Sequence, residues 1–119
     1  MEDNQALIGL DRRAHINYEM VRGDTFAPPT VSFKINGNAE DFSASVIRGQ
    51  IRKDGVVKKD LSEGSGITVG VGTISYRVEA LEMLDWVAGI YEYDVEKDTS
   101  GLVETIQYGQ IILKPDTTI

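Results

Sequence analysis

The chain has 119 residues, 41% of them hydrophobic and 26% charged, values of an ordinary globular domain that argue against a fibrous repeat or wholesale disorder. Its 12 basic and 19 acidic residues leave a net charge of −7, and the cations Arg12-Arg13, Arg48, Arg52-Lys53 and Lys58-Lys59 are scattered among acids, so no nucleic-acid partner is expected. There is no cysteine, which removes disulfides, thiolate catalysis and the usual structural zinc sets and fits a reducing cytosol.

The opening "MEDNQALIGLDRRAH" has no basic leader followed by an apolar run, and no stretch approaches the roughly 20 apolar residues that cross a bilayer. A soluble protein with no secretory signal and no membrane partner is expected. Residues 1–13 carry only Ala6, Leu7, Ile8 and Leu10 as apolar content and read as an arm that orders against something else. Residues 14–119 read as the folded domain.

From Ala14 the apolar positions recur with a period of two, the mark of strands with one buried face. Ile16, Tyr18 and Met20 alternate with His15, Asn17 and Glu19 until Arg22-Gly23-Asp24. Pro28-Pro29 cannot donate to a ladder and confine the next extended segment to a sheet edge. Val31, Phe33 and Ile35 resume the alternation as far as the turn signal Asn36-Gly37-Asn38.

Val46, Arg48 and Gln50 then face one way and Ile47 and Ile51 the other, up to Asp54-Gly55, a pair suited to a tight hairpin. "LSEGSGITVGVGTISYRV" predicts short strands over 67–71 and 73–78, with glycines that shape them. In "EALEMLDW", Ala80, Leu81, Met83 and Leu84 have helical spacing, but the segment is brief and predicts a short helical crossover. Ile90, Tyr91, Tyr93 and Val95 alternate with Glu92, Asp94 and Glu96 up to Asp98-Thr99-Ser100-Gly101. The run 103–114 completes a hairpin that Pro115 ends. Strands about ten residues apart predict an all-β sandwich or barrel of about seven to nine strands with one short helical crossover.

Little in this pattern is catalytic. His15 is the lone histidine, lies on the polar side of its strand and reads as a solvated surface residue. No Gly-x-Ser-x-Gly marks a nucleophile. Glu92, Asp94 and Glu96 at spacing two, with Asp98 after them, could flank a glycosidic bond, but an exposed strand face of an acidic protein looks the same. Calcium would require an Asp-x-Asp-x-Asn-Gly loop that is missing, and Gly64, Gly66, Gly70 and Gly72 fit no phosphate-binding spacing. No catalytic, metal or cofactor residues are assigned, no cofactor is expected, and binding residues stay open.

Trp86, Tyr76, Tyr91, Tyr93 and Tyr108 are expected in the core, Tyr91 and Tyr93 pointing inward. The order Leu81, Leu84, Gly89, Tyr91 is similar to the corner of immunoglobulin-like sandwiches, where a tyrosine hydroxyl bonds back to the preceding connection. "VRGDTF" contains the adhesion tripeptide Arg22-Gly23-Asp24, but Gly-Asp is also turn chemistry placed where the strand pattern changes, and a structural corner is expected there.

"VRGDTF", "VIRGQIRKDG", "GTISYRVEALEMLDWVAGIYEYDVE" and "YGQIILKPDTT", in that order, resemble small tail and baseplate structural proteins of bacteriophages, above all the N-terminal domain of phage baseplate upper proteins. The matching positions are Arg22 to Thr25, Gln50 to Arg52, Gly89 to Asp94, Gly109 to Ile111 and Asp116 to Thr118. The resemblance spans residues 18 to 118.

It implies an immunoglobulin-like sandwich without enzymatic activity, present as a homo-oligomer or in many copies, docked on other virion proteins and assembled in the host cytoplasm. No coiled coil or receptor-binding region follows, so an adaptor, decoration or neck role is favoured over a fibre-bearing one. Two other readings remain. A carbohydrate-binding sandwich would expose an aromatic patch, and an enzyme would set the Glu92 to Asp98 carboxylates in a cleft.

Overall fold

A computed structural model describes residues 13–115; the expected arm, apart from Arg13, and the Asp116 to Thr118 motif lie outside the described residues. The chain runs through β1 (Ala14–His15), β2 (Tyr18–Val21), β3 (Val31–Ser32), β4 (Lys34–Ile35), β5 (Asn38–Ala39), β6 (Val46–Lys53), β7 (Val56–Glu63), β8 (Gly66–Val69), β9 (Thr73–Tyr76), β10 (Gly89–Thr99) and β11 (Leu102–Lys114). The expected all-β class holds. Nine strands make one mixed sheet in the order β1-β11-β10-β6-β7-β8-β9-β3, with β2 also on β11, while β4 and β5 pair separately.

The sheet curls until its distant strands meet. Tyr76 on β9 donates a 2.6 Å hydrogen bond to Gln107 on β11, although β8, β7, β6 and β10 separate those strands in the sheet. The curl encloses one core, with Ile47 and Ile51 of β6, Ile67 of β8, Ile74 of β9 and Tyr91 and Val95 of β10 almost wholly buried. Residues of opposite parity on β6 and β10 face outward, as the period of two requires.

Turn chemistry falls where the sequence places it. Asn36-Gly37, Asp54-Gly55 and Ser100-Gly101 all have paired positive φ, the two-residue hairpin geometry that matches the strand twist. Pro28 and Pro29 precede β3, which ends the sheet. The first expected strand, by contrast, is broken at Ile16-Asn17, and both its pieces run parallel to β11. Parallel pairing joins elements far apart in the chain, and no local pattern signals it.

The crossover is a 3-10 helix over Ala80–Met83, shorter and tighter than helical spacing suggests. Bonds from Glu82 N to Glu79 O and from Trp86 N to Met83 O give a three-residue period, which buries Met83 and Trp86 and leaves Leu81 and Leu84 exposed. Those leucines therefore play no part in the core.

Candidate interaction surface

The aromatic residues form the inner wall. Tyr91 is 0%, Tyr93 4% and Trp86 5% exposed. Trp86 stacks on Tyr91 with ring centres 5.1 Å apart, and the Tyr91 hydroxyl donates to Val87 O at 2.7 Å, a bond back to the connection before β10. Tyr108 departs from the core expectation: it is half-buried, stacked on exposed His15 at 4.8 Å and covered by the Arg13 guanidinium at 4.9 Å.

Gln107 organises the interior, and sequence reading missed it. It is fully buried; its carbonyl accepts from Tyr76, while its amide donates to Tyr18 at 3.0 Å and Tyr93 at 2.9 Å. The Tyr93 hydroxyl in turn donates to Ile16 O at 2.6 Å. Burial pushes the hydroxyls of Tyr76, Tyr93 and Tyr18 above the usual tyrosine range, so they remain neutral and act in a satisfied network. The missed signal was parity, because Gln107 shares its face with Ile111 and Leu113.

The carboxylates lie on the outer face, as expected, where Asp94, Glu96 and Asp98 meet arginines. Arg52 meets Asp94 at 2.9 Å, and Arg48 meets Glu96 at 3.3 Å and Asp98 at 3.1 Å. Register sets Glu96 opposite Arg48, whereas Arg52 lies opposite Glu92 and reaches diagonally to Asp94. The Arg48 side chain, followed by the Gly101 amide, holds the Asp98 carboxyl below its usual range. A concavity of about 410 Å³ overlies this lattice, lined by Arg48, Arg52, Asp60, Asp94 and Glu96. Among the described residues, no three acidic or histidine side chains are grouped to hold a metal ion, and no helix is long and apolar enough to cross a membrane.

Arg22-Gly23-Asp24 occupies an exposed turn closed by Asp24 N to Val21 O at 3.1 Å. Gly23 has φ of 99°, a value that glycine adopts without strain. The Arg22 guanidinium donates to Leu84 O at 3.0 Å and so ties the turn to the crossover.

The backbone edge of β11 is the remaining feature. On the side away from β10, β1 pairs with Gln107 and Tyr108, and β2 with residues 111–114. Among the described residues no strand covers Leu102–Ile106. Leu102 and Val103 are exposed there, as is Val46, which lies across Asp98 from Val103.

No protein-family model matches the chain, and no curated protein matches it.

Proposed function

We propose that this chain is a non-enzymatic structural module of a bacteriophage particle, an adaptor or attachment protein that docks on capsid, neck, tail or baseplate proteins. The phage setting rests on the ordered motifs described above. The structural observation that carries the docking role is the disposition of polar and aromatic groups. Most of the aromatics are committed to the core, and Asp94, Glu96 and Asp98 to arginines, which leaves backbone edges and aliphatic patches for recognition.

We propose also that the curl is an immunoglobulin-like sandwich. Divided at the short β7–β8 contact, the strand order yields β1-β11-β10-β6-β7 against β8-β9-β3, the arrangement of that fold. The Tyr91 to Val87 bond, from β10 back to the connection before it, supports the same reading. In this frame Arg22-Gly23-Asp24 serves as a corner rather than an adhesion ligand.

Burial of Trp86, Tyr76, Tyr91 and Tyr93 weighs against the carbohydrate reading, and the Arg48 and Arg52 pairs weigh against carboxylate catalysis. The test is size-exclusion chromatography with light scattering of the purified chain mixed with the other proteins of its particle. A stoichiometric complex is expected. No complex with any of them, together with saturable glycan binding, would overturn the reading.

A further inference from the structure

We propose that Asn36, at the tip of the β4–β5 hairpin, is a site of spontaneous deamidation, where the side-chain amide is exchanged for a carboxylate through a cyclic imide. Docking plays no part in this change, which is intramolecular and consumes only water. The nucleophile is the backbone nitrogen of the following residue, and glycine alone leaves that nitrogen uncrowded by a Cβ. Of the asparagines at 4, 17, 36 and 38, only Asn36 precedes a glycine.

The hairpin leaves both reacting groups free. Asn36 and Gly37 are exposed, and a Cβ built on Gly37 meets nothing within 4 Å. The closing pair of the loop is Ile35 with Asn38, so the Gly37 N–H lies outside the ladder. The Asn36 amide makes no hydrogen bond among the described residues. Asn17, by contrast, is followed by Tyr18, and its Oδ1 accepts from Gln110 N at 2.9 Å. Asn38 precedes Ala39 within β5.

Ring closure first requires the turn to open. Asn36 has φ of 53° and Gly37 of 81°, and in such a type I′ turn the Gly37 nitrogen lies nearly opposite the Asn36 Cβ about the Cα–C bond. The obstacle is small, because β4 and β5 are two residues each and pair with each other off the main sheet, and so weakly held a segment opens locally at low free energy. Asp54-Gly55 shares the positive φ values but closes the eight-residue strands β6 and β7, and its carboxylate meets Lys53 at 3.2 Å.

The atoms balance with water alone. Base removes the Gly37 amide proton, the nitrogen bonds to Asn36 Cγ as the Cγ–Nδ2 bond breaks, and a proton leaves with the departing ammonia. Water then opens the imide at either carbonyl. One opening yields aspartate and the other isoaspartate, whose Cβ has entered the main chain. Both add a negative charge to a chain already at −7, and isoaspartate also lengthens the loop that sets Lys34 opposite Ala39.

The test is incubation of the folded full chain at mildly alkaline pH and physiological temperature, beside the acetylated peptide Lys-Ile-Asn-Gly-Asn-Ala, followed by tryptic mapping with mass spectrometry and fragmentation. The mass gain of amide-to-acid exchange is expected at Asn36 within the fragment 35–48, with isoaspartate and aspartate both present. Its rate should lie within roughly tenfold of the peptide's and rise with pH. Asn36→Asp, which keeps the turn, should lack the gain. A rate further below the peptide's, a gain arising first at Asn17 or Asn38, or an undiminished gain in Asn36→Asp would overturn the proposal.

Discussion

The two halves of β11 are one strand with opposite surroundings. From Gln107 onward its outer side is sealed by β1 and β2, and the seal is fastened from within, because Tyr93 bonds Ile16 and Gln107 bonds Tyr18. Gly109 permits the close approach: a Cβ there would lie 2.0 Å from the Ile16 carbonyl oxygen. From Leu102 to Ile106 none of these fasteners exists among the described residues. The contrast teaches that an edge is closed by specific side chains beneath and beside it, and that strand length alone does not close it.

The comparison breaks most severely if its fastener is removed. Gln107→Ala should cost about 3 kcal/mol or more in urea unfolding, because it opens a cavity, takes the acceptor from the buried Tyr76 hydroxyl and removes the donor to Tyr18 and Tyr93. Gly109→Ala should cost about 2 kcal/mol, with β1 and β2 losing amide protection before β6 and β10. Equal loss across the sheet would mean that the seal is not a separable unit. Gly23→Ala should cost about 1 kcal/mol, since its φ of 99° disfavours a side chain, whereas Asp24→Ala should stay within about 0.5 kcal/mol.

Below these lies a pH effect on the outer lattice. The folded Asp98 carboxyl is held below its ordinary value, so its contribution is present at neutral pH and is lost as acid carries the pH down through its folded pKa. Arg48→Ala should therefore reduce the fall in urea midpoint between pH 7 and the acid range below the ordinary aspartate pKa. An unchanged difference would remove Arg48 from that role. Val103→Pro should move stability least, by under about 0.5 kcal/mol, because its amide points away from β10.

Local rules made much of the fold legible. Period-two alternation assigned the inner and outer faces of β6 and β10, Asp54-Gly55 and Ser100-Gly101 marked their hairpins, and Asn36-Gly37 marked that of β4 and β5. The parallel docking of β1 and β2 was not legible, because it depends on Gly109 meeting Ile16 across the whole chain. Leu81 and Leu84 misled because a 3-10 turn repeats at three residues and selects Met83 and Trp86 instead. Which part of β11 the described strands cover was invisible for the same reason as the seal: edges are properties of the assembled sheet, and alternation within β11 reads alike in both halves.

Hydrogen exchange of the β11 amides, residue by residue and at low chain concentration, tests the central contrast most directly. The account predicts rapid exchange at Val103 and Thr105 and slow exchange at Gln110 and at the amides facing β2. Protection of Val103 and Thr105 equal to that of Gln110 would contradict it.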